Sequence, residues 1–274
     1  MANEICSSYW LGEKDVLNLG EHFVELLAAA GGLGVCPAAK SEGRHKDVWM
    51  IIGSSLNRET LDRLLGKFER VVVWGAGNGC GIPMAANLTQ EPYASRVVVR
   101  AVRGPLTVAH SRLPASTVQG DPGFLMPRFY PPKRAVPPGE GETLYVPHWS
   151  NRKDAEHKRQ VLGCSAWMDV MMPRDAVGAA MQRLVDADFV LTNSLHCWIF
   201  CAAYGVPHAF ALPDGEQWNM PLKWADVWQW LGQVNMPVPM SKLSEAREWW
   251  DGEGRWIQTP DLAPLLRCGP LVSA

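Results

Sequence analysis

An α/β fold of two Rossmann-like domains facing across a cleft is predicted by three observations. Short apolar runs alternate with helix-like stretches, the corners after those runs are polar or glycine-rich, and a Pro-rich joint at residues 127–138 divides the alternation in two. A parallel strand buried on both faces reads as an unbroken apolar run, and its carboxyl end is where an open α/β sheet gathers ligands. The expected boundaries are a first domain at 1–130, a linker at 131–142 and a second domain with closing helices at 143–274.

Taken in order, Asn18-Leu-Gly20-Glu21-His22 leads into a helix over 23–30 that Gly31-Gly32 ends. A strand at 48–52 closes on Gly53-Ser54-Ser55, and a helix covers 58–68. The run at 71–74 enters Gly75-Ala-Gly77-Asn78-Gly79-Cys-Gly81. That turn is not a dinucleotide fingerprint, because Pro83 comes where a helix should begin; it reads as a close-approach loop at a strand edge. After the run at 97–99, Arg103-Gly104-Pro105 puts Pro at the first helical position, so Arg103 projects from a strand-to-helix corner. Such an arginine is either a seam residue or a forked clamp for a carboxylate or phosphate. In Gly120-Asp121-Pro122-Gly123 the Asp121 carboxylate is expected chiefly to hold a turn. Residues 127–138, rich in Pro, are expected to form neither helix nor central strand.

The second half begins with a strand at 143–146 that ends at Pro147-His148-Trp149-Ser150, and helices follow at 154–162 and 175–185. Next come the apolar run 189–192, Asn193-Ser194 as an N-cap, and a helix with Leu195, Ile199, Ala202 and Ala203 at helical spacing. Gly205 and Pro207 end that helix, and 206–212 reads as the next strand. His196 falls in the helix's first turn. A lone histidine is more often a packed polar residue; its place beside unpaired N–H donors at the ligand-gathering edge marks this one as functional. Lys223 follows the last clear strand and by itself reads as a solvated lysine. Helices at 241–250 and 261–266 close the chain, one of them crossing back to the first domain.

Composition narrows the function classes. The 274 residues are 47% hydrophobic and 20% charged, enough for one large core or two moderate ones. A formal net charge of -2 removes the electrostatic case for a nucleic-acid binder. No run of about 18 apolar residues occurs, and Met1-Ala-Asn-Glu lacks the plan of a secretory signal, so a cytoplasmic protein is expected. Seven Cys without a Cys-x-x-Cys pair suit packed, reduced thiols, and no metal is expected. Of 13 Trp, those at 218, 224, 228, 230, 249, 250 and 256 crowd the last part of the chain; most should fill a core or domain seam, and one or two should line a groove.

Gly53-Ser-Ser-Leu56, Trp74-Gly75-Ala-Gly77, Val102-Arg103-Gly104-Pro105-Leu106-Thr107, Gly120-Asp121-Pro122-Gly123, Val146-Pro147-His148 and Ser194-Leu195-His196 through Gly205-Val-Pro207 stand in the order found in the polysaccharide pyruvyl transferases. From about residue 18 to 223 the chain resembles that family, and it is most similar to the short members that pyruvylate exopolysaccharides of the xanthan type. The resemblance implies a GT-B-like fold and transfer of the pyruvate unit of phosphoenolpyruvate onto a sugar as a ketal, with no cofactor. It assigns donor binding to Arg103 of the first domain and to His196 and Lys223 of the second, and Ser194 and Leu195, at the helix N-terminus beside His196, are expected to join them. Asn18-Leu-Gly20-Glu21 stands where the family has Asn-x-Gly-Asp; Asn18, Glu21, Gly75 and Asn78 are the expected acceptor-side residues. His196 and Arg103, with His148 and Asp121 as helpers, form the expected catalytic set. A lipid-linked acceptor would bring the enzyme to the inner face of a membrane by transient contact. Arg103→Ala and His196→Ala are expected to stop phosphate release with the fold intact. The rival readings are a nucleotide-sugar glycosyltransferase of the same build and a non-catalytic sugar-binding protein of an envelope-assembly complex.

Overall fold

The computed structural model describes residues 4–8, 16–30, 32–41, 43–213, 216 and 218–270. Along the first half run β1 (Glu4–Ser7), β2 (Val16–Asn18), α1 (Leu19–Ala30), β3 (Gly34–Pro37), β4 (Asp47–Met50), α2 (Arg58–Leu65), β5 (Arg70–Trp74), α3 (Tyr93–Arg96), β6 (Val97–Ala101), α4 (Pro105–His110) and α5 (Met126–Phe129). The second half holds β7 (Thr143–Val146), α6 (Ala155–Leu162), β8 (Ala166–Trp167), β9 (Met171–Pro173), α7 (Val177–Asp186), β10 (Phe189–Thr192), α8 (Leu195–Tyr204) and β11 (His208–Phe210). Three helices close it: α9 (Pro221–Trp230), α10 (Leu243–Gly252) and α11 (Ala263–Arg267). Gly31, expected to help end α1, lies outside the described residues.

Two parallel sheets carry the α/β architecture. The first has the order β3-β1-β4-β5-β6 and the second β11-β10-β7-β8. The apolar runs behave as expected of strands covered on both faces: every residue of β10 is buried, as are four of the five in β5. Pro105 occupies the first turn of α4, and Gly205 ends α8 in the left-handed conformation at φ 69°.

The Pro-rich joint differs from expectation at its start, where Met126–Phe129 forms one helical turn with Pro127 in its first positions. Proline is tolerated there because the N–H it lacks would have no intrahelical acceptor. The remainder is irregular but lashed down. Arg134 donates to the carbonyls of Val136 and Ala187 and pairs with Asp188, and Asp186 accepts the N–H of Ala135.

The core does not stop at this joint. A single apolar cluster runs from Ile51, Trp74 and Ala101 under the first sheet to Leu144, Val146 and Val190 of the second. Helix α1 comes early in the chain yet packs on α5 and α8, with Phe23 against Phe200, and β2 pairs antiparallel with β9. Of the Trp-rich end, Trp224 and Trp228 sit in this cluster with Trp218, Trp230 and Trp249 against it, Trp250 packs on Phe189 and His208, and Trp256 is exposed. Trp224 meets Phe210 and Trp198, Trp230 meets Phe124, and α11 crosses back so that Trp74 donates to the Leu265 carbonyl at 2.8 Å. Five of the seven cysteines are buried, and all seven are free thiols. Among the described residues no helix is long and apolar enough to cross a membrane.

Candidate functional site

The corner between β10 and α8 is built differently from a side-chain N-cap. Ser194 holds the N-cap position with an extended backbone, but its hydroxyl makes no capping bond. Thr192 Oγ1 accepts the Ser194 N–H at 3.0 Å and donates to the Val146 carbonyl at 2.6 Å, so the hydroxyl at the strand end locks the turn. Asn193 braces the corner sideways. Its Oδ1 accepts the His148 N–H and its Nδ2 donates to Glu216. The ends of β7 and β10 are thereby tied together, which sets His148 and His196 on one side of the sheet edge.

Seven of the expected residues, Asn18, Glu21, His148, Ser194, Leu195, His196 and Lys223, line one cavity of about 290 Å³. Trp149, Ser54, Asn219 and Met220 complete the parts of its wall that bear on the chemistry. Arg103 and Asp121 lie behind that wall, fully buried. Gly75 and Asn78 are not brought to it. Gly75, at φ 95°, lets the chain pass Pro122, whose ring carbon would lie 2.0 Å from a Cβ there. Asn78 is buried in its own turn, accepting the Cys80 N–H and donating to the Gly81 carbonyl. The close approach made by this glycine loop is to the protein's own side chains.

Each titratable group in the cluster is shifted by its surroundings. The His196 Nε2 stands 3.8 Å from Asp121 Oδ2, and its Nδ1 faces the start of α1. Burial, then the Lys223 and Arg103 charges, push His196 down to about 3, so its ring is neutral at pH 7. Asp121 uses one oxygen to accept the Gly123 N–H at 2.9 Å, holding the turn as expected. Its other oxygen has no hydrogen-bond partner, and burial pushes the carboxyl up to about 6. The unoccupied oxygen is the one aimed at His196. Lys223 is not solvated: it is 6% exposed, with Nζ 3.4 Å from both His148 Nε2 and Asn219 Oδ1. Burial, then Arg103, bring Lys223 down to about 7, and burial, then Lys223 and His196, bring His148 to about 3.

Arg103 departs from the forked clamp. Its Nε donates to Asp226 at 3.2 Å and its Nη1 to Ser54 Oγ at 2.7 Å, which leaves only Nη2 without a partner. A forked grip through two nitrogens is therefore excluded in this arrangement, and one nitrogen, Nη2, remains with its N–H groups unpaired. Asp226, which sequence reasoning missed, also accepts from the Thr107 N–H and hydroxyl, so it joins α9 to the first turn of α4. The signal was present: Pro221 opens a helix on which Leu222, Trp224, Val227, Trp228 and Leu231 recur at helical spacing, and Lys223 and Asp226 stand three apart on one face.

Close packing against glycines positions the Arg103 and His196 side chains. A Cβ at Gly77 would lie 2.5 Å from the Arg103 guanidinium carbon, and one at Gly20 would lie 2.2 Å from His196 Nδ1. Gly20→Ala should therefore destabilise the protein by about 1–3 kcal/mol through overpacking, against the roughly 1 kcal/mol that Ala gains over Gly in a helix. Urea unfolding of the variant measures this; a gain in stability would mean that His196 does not sit against α1.

Chemically, the cavity joins a near-neutral lysine, two neutral imidazoles and a carboxyl poised near pH 6 around a space of small-molecule size. Such groups can bind an anion and move protons. No protein-family model and no curated protein matches the chain. Among solved structures it is similar to a functionally uncharacterised protein from Klebsiella pneumoniae subsp. pneumoniae NTUH-K2044, at 12% identity and a TM-score of 0.48, over 83% of this chain and 87% of that one.

Proposed function

We propose that the protein is a pyruvyl transferase that moves the pyruvate unit of phosphoenolpyruvate onto a sugar of a bacterial exopolysaccharide or its lipid-linked precursor. In this reading the frame is GT-B-like, with acceptor residues from the first Rossmann-like domain and donor residues from the second, joined by Arg103 of the first. The observation that carries it is the gathering of Lys223, His148 and His196 around one small cavity, with the unpaired Arg103 Nη2 and the Asp121 carboxyl behind it. A volume of about 290 Å³ lies at the lower edge of the roughly 300–1,000 Å³ typical of pockets for drug-sized ligands. That favours a compact donor over a nucleotide sugar.

Phosphoenolpyruvate brings a carboxylate and a phosphate to groups that burial and mutual repulsion have left short of charge. Its arrival offsets both effects, so Lys223 becomes fully cationic and His196 more basic. The reaction then needs a proton placed on the methylene carbon, leaving an oxocarbenium-like carbon for a sugar hydroxyl to attack. The first hydroxyl gives up its proton, the C–O bond to phosphate breaks, and a second hydroxyl closes the ketal as it loses its own. His196, backed by Asp121, is assigned the proton on the donor side; Lys223 and the α8 first-turn N–H groups hold the anion. His148, neutral and 3.4 Å from Lys223, is the base assigned to the hydroxyls. The scheme calls for no cofactor. The protein would act in the cytoplasm, at the inner membrane face when its acceptor is lipid-linked.

Phosphoenolpyruvate at a hundred times its Kd should stabilise the fold by about 2.7 kcal/mol, and a nucleotide sugar should not. The affinity should also depend on pH with a fixed sign. Free Lys223 loses its proton near pH 7, whereas the complex keeps it, so binding takes up a proton above that pH and weakens by up to about tenfold per unit. Calorimetry in two buffers of different ionisation enthalpy reads the uptake at pH 8. A flat Kd from pH 6.5 to 9 would remove Lys223 from the donor site. Stabilisation by a nucleotide sugar alone would replace the transfer reading with a glycosyltransferase.

A further inference from the structure

A second cavity, of about 430 Å³, adjoins the first and shares Glu21, Gly53 and Ser54 with it. Its wall is apolar at Ile52, Leu64 and Phe68, and Ser54 and Ser55 add hydroxyls. At its rim stand Arg63 and Lys67, four residues apart and hence neighbours on the face that α2 continues into its terminal turn. Both are exposed, and neither has a hydrogen bond or ion pair among the described residues. Two adjacent cations without carboxylate partners, set over a groove that opens into the His196 pocket, form an anion-recognising end on a surface suited to sugar rings.

We infer that this second cavity binds an acidic saccharide, its phosphate or uronate group between Arg63 and Lys67 and a neutral hydroxyl end directed past Ser54 toward His196. Position sets that polarity: Arg63 and Lys67 stand at the rim of the second cavity, and the shared Ser54 leads into the first. The apolar wall takes the C–H faces of the rings. The role of this saccharide as acceptor rests on the transfer reading above; its binding does not.

The test is direct binding, measured by calorimetry on the full chain and on His196→Ala, which separates binding from turnover. The probes are a neutral oligosaccharide, the same oligosaccharide as its 1-phosphate, and the same ending in a uronate. At least one acidic form should bind about tenfold or more tightly than the neutral one, with the advantage falling as salt rises, and the acidic form preferred identifies the group. Arg63→Gln/Lys67→Gln should erase that advantage and leave neutral binding and the unfolding midpoint unchanged. Equal affinities for the three probes, or an advantage that survives the double substitution, would overturn the inference. If acidic binding holds while phosphoenolpyruvate is never consumed, the groove stands and the transfer reading falls. Turnover on neutral acceptors without acidic binding would instead keep the transferase and remove the groove.

Discussion

Arg103→Ala should destabilise the protein by about 3–5 kcal/mol, because it strips the cation from a carboxylate with no exposure to water. Asp226 would keep its bonds from Thr107, which satisfy its oxygens but leave its charge uncompensated. The companion variant Arg103→Ala/Asp226→Ala should be less destabilised than the sum of the two single changes by at least about 1 kcal/mol. Urea unfolding, with slopes compared among the four proteins, measures both numbers. An unchanged midpoint for Arg103→Ala would mean that the guanidinium is not the buried partner of Asp226. The buried ion pair argues against the expectation that this substitution spares the fold, so on the transfer reading a loss of activity in Arg103→Ala would report stability as well as donor binding. His196→Ala, at a position 16% exposed and with a ring that is neutral at pH 7, removes no cation from a buried carboxylate and is the cleaner functional probe.

Asp121→Asn should make the protein more stable and, on the transfer reading, inactive. The carboxyl rises from its ordinary 3.8 to about 6 on folding, so the folded state binds its proton more tightly than the unfolded chain does. The stabilisation this gives is complete below pH 4 and lost as pH rises through 6, and at pH 8 the fold carries a buried, half-partnered charge. Asparagine keeps the oxygen that accepts the Gly123 N–H and removes that charge. The variant should exceed the wild type by up to about 3 kcal/mol at pH 8, and the gap should close toward pH 4. Phosphate release from phosphoenolpyruvate with acceptor present should fall about 10²–10⁴-fold, since an amide cannot exchange a proton with His196. Thermal melts from pH 4 to 8 beside a phosphate assay test the pair of effects. A variant that stays active removes Asp121 from the proton path; one that is less stable at pH 8 contradicts the buried-charge account.

The strands and corners that make this site were legible where local chemistry decides them. Val71 to Trp74 and Phe189 to Thr192 are apolar without a break because both faces are covered, and Pro105 and Gly205 punctuate helices by backbone geometry alone. Strands β1 and β3 were not legible, since Glu4-Ile-Cys-Ser and Gly34-Val-Cys-Pro lack a β-branched run and owe their conformation to each other. The pairing of β2 with β9 joins residues more than 150 apart and has no local signature. Lys223 illustrates the limit best. Its helix could be read from spacing, but its burial depends on Asp226 meeting Arg103 and Thr107 across the molecule, which no local pattern encodes.

Helix α9 works as a keystone. On one side Asp226 fastens it to Arg103 and α4; on the other Trp224 and Trp228 wedge it against Phe210 and Trp198. Swinging the halves apart like a hinge would have to tear either a desolvated ion pair or an aromatic stack, so the cavity bordered by Met220 and Trp149 stands formed before any ligand arrives. Under the transfer reading proposed above, the donor would dock into that ready-made space with no domain-closure step to limit its association.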